Sequence, residues 1–207
     1  MMRTMTSELI LVRHGRVDPA WHGRIYGCLD VPLSDDGRAE AHRAAAYLAR
    51  ERLDAVVHSG LSRTRFGAAC IAAGRPLEPR GEADLREIDR GAWARRTFEQ
   101  LEADEPGAFA AWRAEPWTRR PPGGESMGDL SDRVLPVLDD LAREHGGGVV
   151  AVVAHSHVLR CALARALGRD DAMEQHVPTG PVLRFTWKPR GIADLREQQT
   201  FGSTDPA

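Results

Sequence analysis

An arginine, a histidine and a glycine stand together where an apolar run stops: Leu9 to Val12 gives way to Arg13-His14-Gly15. Two more apolar runs end in the same manner. "LDAVVHSG" reaches His58-Ser59 and leads on to Arg63, and "GGGVVAVVAHSH" reaches His155-Ser156-His157. Two histidines and two arginines brought to one rim would suit a phosphoryl group, whose oxygens match the arginine fork bidentately. A helix starting after His155 would add backbone N–H donors. A neutral imidazole can attack phosphorus and form a phosphohistidine, and surrounding cations, His155 among them if protonated, would stabilise the charge spread in the transition state. The leaving oxygen needs an acid. "DLREIDRG" offers Asp84, Glu87 and Asp89, and a carboxyl raised by partial burial could donate a proton near neutral pH and then take one from water.

The elements that must position these groups follow from the pattern. Ser7 to Arg13 reads as a short buried strand. Ser34 is a good N-cap with Asp35 and Asp36 in the first turn, and the alanine-rich run after it predicts a helix to about Arg52. A second strand over "LDAVVHSG" and a helix over "LSRTRFGAACIAA", stopped near Gly74, come next. Short helices and loops are expected over an insertion at about 81–125 that packs on the main body. Then "SMGDLSDRVLPVLDDLAREH" is helical, with Pro136 expected to kink it or mark its start. Val149 to Val153 is the clearest strand, a helix covers about Val158 to Leu167, and "PVLRFTWK" with "IADLREQQT" reads as a closing hairpin or edge pair. The sum is one α/β domain over 1–207: three layers, α/β/α, a mostly parallel central sheet, working groups beyond the carboxyl ends of its strands, and a frayed tail at about 200–207.

Composition supports this and narrows the partners. The chain has 207 residues, 42% of them hydrophobic, enough for one real core. Its 28 basic residues nearly balance 30 acidic ones, for a net charge of -2, so bulk attraction to nucleic acid or to a membrane surface is not expected. Cys28, Cys70 and Cys161 fit neither a disulfide framework nor a zinc pattern, "MMRTMTSE" lacks an apolar h-region, and no run is long enough to span a membrane. A cytoplasmic protein is expected, with oligomeric state open and a homodimer among the options.

The ordered motifs resemble those of the histidine phosphatase, or phosphoglycerate mutase-like, superfamily. Arg13-His14-Gly15 matches its R-H-G; "GCLDVPLSDDGRAEA" matches its G-x-x-D-x-P-L block; Ser59 to Arg63, Leu85 to Trp93, Gly123 to Ser126 and "VVAVVAHSHVLR" follow in the family's order. The resemblance implies that His14 is the phosphorylated nucleophile. Arg13, Arg63, His155 and the backbone at Ser156 would bind the phosphoryl group, Glu87 would be acid and then base, and Tyr26 and Gly27 would meet substrate. No metal or other cofactor is implied. The chain departs from the family where Val17 and Ala20 replace a threonine and an asparagine, where Ser156-His157 replaces two glycines, and where Gly91-Ala92-Trp93-Ala94-Arg95 replaces G-[ED]-W-E-G.

Blander readings compete. Strand-end histidines are often merely hydrogen-bonded, and a His155-x-His157 metal pair lacks a convincing third ligand. His157 reads as a helix-start residue, and His22, His42, His58, His145 and His176 as surface or loop residues. Trp93, Trp112 and Trp117 more readily pack the insertion than line a pocket, and Arg95-Arg96 and Arg119-Arg120 are ordinary solvated charges unless a second anionic group is present. The expected activity is metal-independent hydrolysis of a small phosphomonoester. A phosphoglycerate mutase using the same residues, or a weakly active phospho-ligand binder, are the alternatives; the modest insertion favours hydrolysis.

Overall fold

The computed structural model describes residues 6–191 and 193–201. The described residues form six strands, β1 (Ser7–Arg13), β2 (Ala55–His58), β3 (Arg80–Gly81), β4 (Val149–Ala154), β5 (Pro181–Trp187) and β6 (Ala193–Thr200). Seven helices accompany them: α1 (Asp35–Tyr47), α2 (Ser62–Ala72), α3 (Phe98–Asp104), α4 (Ala108–Ala114), α5 (Met127–Glu144), α6 (Ser156–Leu167) and α7 (Arg169–Glu174). The strands make one sheet in the order β3-β2-β4-β1-β5-β6. The β3-β2, β2-β4 and β4-β1 pairs are parallel; β1-β5 and β5-β6 are antiparallel.

Alternation along the strands builds two cores. Leu9, Leu11, Val150, Val152 and Ala154 face one side, where Leu130, Val134, Leu138 and Leu141 of α5 and Val158 and Leu159 of α6 cover them. Ile10, Val12, Val56, Ala151 and Val153 face the other, against Ala44 and Leu48 from the α1 side and Ala68 and Ile71 of α2. A sheet buried on both faces needs continuous aliphatic runs, which β1 and β4 supply.

Local signals account for the element ends. Ser34 Oγ accepts from Gly37 N at 3.0 Å, and the helix closes at Tyr47, short of the expected Arg52. Helix α5 starts at a capping box between Ser126 and Asp129 and runs unbroken through Pro136. The proline therefore does not mark a start; it forfeits one backbone hydrogen bond within a helix held down by its buried face. Helix α7 was not anticipated. In the expected insertion α3 and α4 bury Leu101 and Trp112 against the main core, with Trp93 beside them.

The expected tail begins where β6 ends. Thr200 pairs with Pro181, the Phe201 ring lies 5.2 Å from that of Tyr47, and the Phe201 carbonyl accepts from Arg43, so packing holds both residues. Residues 202–207 lie outside the described residues. Among the described residues no helix is long and apolar enough to cross a membrane.

One close approach fixes the turn after β1. A Cβ on Gly15 would sit 2.1 Å from Gly37 O, and one on Gly37 would sit 2.0 Å from Arg16 O. The first turn of α1 thus rests directly on the backbone that carries His14. Gly15→Ala must push α1 away and should destabilise the fold by about 2 kcal/mol or more. Urea unfolding would read this as a lowered midpoint at unchanged slope.

Candidate active site

Parallel pairing sets the geometry. Arg13 lies opposite Ala154 in register, and His14 N donates to Ala154 O at 3.0 Å, so the tips of β1 and β4 stand level. His14 and His155 follow directly, their ring centroids 5.1 Å apart. Both are buried, with His155 fully enclosed.

Hydrogen bonds orient each ring. His14 Nδ1 lies 2.7 Å from Gly15 O, which can only accept, so Nδ1 carries the proton and Nε2 keeps its lone pair. His155 Nε2 lies 2.7 Å from Ser59 Oγ, which in turn meets Thr64 Oγ1 at 2.9 Å. A serine hydroxyl can donate or accept, so Ser59 supports either protonation state of His155. The Nδ1 atom of His155 is buried without a protein partner.

The arginines are tied to carbonyl oxygens. Arg13 Nη1 donates to Val177 O. Arg63, only 1% exposed, donates from Nη1 to Leu29 O at 2.6 Å and from Nη2 to Gly27 O at 2.9 Å, with the Tyr26 ring 5.5 Å from its Cζ. Neither guanidinium forms an ion pair within contact distance among the described residues, and the Nε atoms of both are buried without a hydrogen-bond partner. Gly27 itself is held at φ +43, and a Cβ there would meet Ile88 O at 2.5 Å. The Gly27 turn therefore packs on the segment that carries Glu87. Ser156 opens α6, where first-turn N–H groups have no partner inside the helix.

Of the three acids, Glu87 is the buried one. Its Oε1 accepts from Ile88 N at 2.9 Å, and its Oε2 lies 3.3 Å from both His157 N and His157 Nδ1. Asp84 is exposed, and Asp89 Oδ1 is engaged locally by Gly91 N at 2.8 Å. Arg133 of α5 pins the Glu87 segment through the carbonyls of Asp84, Arg86 and Glu87, its charge paired with Glu125.

Electrostatics distinguish the three titrating groups. Burial alone would raise Glu87, but His157 by charge and hydrogen bond, His155 by charge and the Ile88 N–H together outweigh it and hold the carboxyl well below its ordinary range. It is ionised in the unliganded protein, not poised as an acid by an apolar site. Burial, then Arg63, push His155 well below the ordinary histidine value, which favours its uncharged form. His14 is lowered likewise, by burial, Arg63, His155 and Arg13, as a nucleophile requires.

Three participants escaped the sequence reading: Ser59 as the partner of His155, and Arg90 and His157 behind Glu87. His157 is no mere helix-start residue. Arg90 Nη2 lies 3.0 Å from His157 Nε2, and the Arg90 Cζ sits 4.1 Å over the Trp112 ring. The spacing Glu87-x-x-Arg90 on one segment and His155-x-His157 at one helix start was the available signal. Trp112 and Trp93 are buried packing residues. Arg96 pairs with Asp104 and Glu105, Arg119 with Glu115, and Arg120 with Asp129.

Removing the Ser59 hydroxyl should free the His155 ring without unfolding the sheet. Ser59→Ala is expected to lower kcat/KM about tenfold to a hundredfold, the worth of one buried hydrogen bond to a charged or catalytic group, with little change in melting temperature. Steady-state kinetics beside a thermal melt would check both halves.

Similarity to known proteins agrees with the geometry. Phosphoserine phosphatase 1 of Hydrogenobacter thermophilus is 36% identical over 163 residues, covering 79% of this chain and 77% of that protein. Glucosyl-3-phosphoglycerate phosphatase of Mycobacterium tuberculosis is 36% identical over 168 residues, covering 77% and 74%. The structure of a mycobacterial glucosyl-3-phosphoglycerate phosphatase superimposes with a TM-score of 0.82 at 30% identity, over 92% of this chain and 97% of that one. Residues 9–195 match the family model of the histidine phosphatase superfamily, branch 1, so this chain belongs to that superfamily and is a phosphatase.

Proposed function

We propose that this phosphatase hydrolyses small phosphomonoesters in two steps through a phosphohistidine on His14, without a metal ion. The observation that carries the reading is the pairing of His14 and His155 beside two buried arginines that donate to carbonyl oxygens. Buried positive charge of that kind is expensive to maintain and is offset when a phosphate anion arrives. The unpartnered Arg13 Nε, Arg63 Nε and His155 Nδ1 point to the same occupant.

In the first step the Nε2 lone pair of His14 attacks phosphorus. The ester P–O bond breaks, its electron pair goes to the leaving oxygen, and that oxygen takes a proton from Glu87. Because Glu87 is ionised beforehand, the proton enters with the substrate: a phosphate monoanion hands it over on binding, a state equivalent to dianion plus protonated Glu87. In the second step the Glu87 carboxylate takes a proton from water. The water oxygen attacks phosphorus, the P–N bond breaks, and its pair returns to Nε2. The arginine forks and the Ser156 N–H hold the equatorial oxygens throughout.

The named relatives act on phosphoserine and on glucosyl-3-phosphoglycerate, both small metabolites that also carry a carboxylate, and these head the substrates to be tried. A panel of such phosphomonoesters with EDTA present should show phosphate release that His14→Ala lowers by about a thousandfold or more. Acid-labile, base-stable label should appear on His14 when a 32P substrate is quenched during turnover. Full activity in His14→Ala, or complete loss of the wild-type rate in EDTA, would overturn the proposal.

The charge states also give a pH dependence. His14 sits well below the ordinary histidine value of 6.5, so its protonation limits the rate only on the acid side. The required proton is lost as the substrate's second ionisation, near about pH 6, is passed. Hence kcat/KM should fall steadily from about pH 7 upward. A rate still climbing above about pH 9 would contradict the Glu87 assignment.

A further inference from the structure

Behind Glu87 lies a chain of groups that the proposed reaction does not use. Arg90 and His157 are brought together under Trp112: Arg90 Nη2 is 3.0 Å from His157 Nε2, the His157 ring stands edge-on to Trp112 at 6.0 Å, and His157 Nδ1 is 3.3 Å from Glu87 Oε2. The His157 side chain is 19% exposed, but its Nδ1 is shut off from solvent, as is Arg90 Nη1.

Donor bookkeeping decides the tautomer. An arginine nitrogen can only donate, so His157 Nε2 must accept and carries no proton. A neutral imidazole deprotonated at Nε2 holds its proton on Nδ1, the atom that faces the Glu87 carboxylate. The order is therefore Arg90 N–H to His157 Nε2, with the proton on Nδ1 facing Glu87 Oε2 at 3.3 Å without closing a hydrogen bond in this form; the bond that Oε2 accepts here comes from the His157 backbone N–H. The approach to Oε2 is loose in this unliganded form, as such contacts often are before substrate binds. The two glycines of the family pattern could offer no such side-chain donor.

We propose that His157 is a positioning residue for Glu87: locked by Arg90 as the Nδ1–H tautomer, it presents that N–H to Oε2 and aims the carboxylate until substrate brings the proton. This rests on the reading of Glu87 as the proton donor and acceptor. The charge states agree. Burial lowers His157 from its ordinary value against the opposing pull of Glu87, which favours the uncharged ring. The remaining groups facing Glu87 are His155 and Arg160 of α6, Arg63 of α2 and Arg133 of α5, the last shared with Glu125; the buried Cys161 thiol is pushed up and stays protonated. None of these donates to Oε2, so loss of the His157 side chain should leave the backbone N–H of residue 157 as its remaining contact there.

Two NMR measurements on the whole protein test this. Nitrogen-15 shifts of His157 should report the Nδ1–H tautomer from about pH 5 to pH 7; an Nε2–H tautomer or an imidazolium would overturn the proposal. The Glu87 carboxyl carbon, assigned by its disappearance in Glu87→Gln, should titrate about one pH unit higher in His157→Ala, a tenfold change in its ionisation constant. His157→Asn keeps a donor where Nδ1 stood and should restore most of the wild-type midpoint. The acid limb of kcat/KM should move up in the alanine variant and back in the asparagine one. An unmoved midpoint in folded His157→Ala, or an equal shift in both variants, would overturn the role. Full turnover in Glu87→Gln would instead sink the reading of Glu87, leaving the titration to decide on His157 alone.

Discussion

Positive charge held out of water governs this structure. Arg13 and Arg63 enter the carboxyl end of the sheet almost wholly buried and find carbonyl oxygens there. A carbonyl dipole orients a guanidinium but does not neutralise it, so the field survives at the centre of the site. Burial first, and that field second, lower His14 and His155, while the donors at the start of α6 and the Ile88 N–H hold Glu87 down. One arrangement thus supplies an unprotonated nucleophile, a place for an anion and a base.

The fold is organised to hold those charges in place. Parallel pairing levels the tips of β1 and β4, the mutual contact of Gly15 and Gly37 locks the turn, and the Gly27 turn both anchors Arg63 and rests on the Glu87 segment. Arg133 then fastens that segment to α5 through three backbone carbonyls. Each catalytic candidate is thereby attached to a rigid element through backbone contacts, which is how a site keeps its geometry when its side chains repel one another.

Much of this was legible in the residues. Aliphatic runs ending in Arg-His and Ala-His announce buried strands with polar tips, and Ser34 with two acids announces a helix start; both signals are local, and local physics produced the element. What escaped was tertiary. The run after Leu167 carries weak helical signals, and α7 packs through contacts with α6 that no spacing reveals. His157 looked like a helix-start residue because its identity says nothing about Arg90, which approaches from a segment distant in sequence. The protonation of Glu87 was misjudged for the same reason: burial was readable, but the donors that outweigh it come from α6.

The place of β1 in the sheet carries a consequence for biosynthesis. Its two neighbours are β4 and β5, at Val149–Ala154 and Pro181–Trp187. A chain leaving the ribosome must expose this aliphatic segment until Val149–Ala154 has emerged, with nothing yet to pair against. Long-range closure of that kind slows folding and leaves a sticky edge uncovered. The molecule should be a slow folder that leans on chaperones when made quickly, and any fragment ending before β4 would carry its nucleophile on a strand without a sheet.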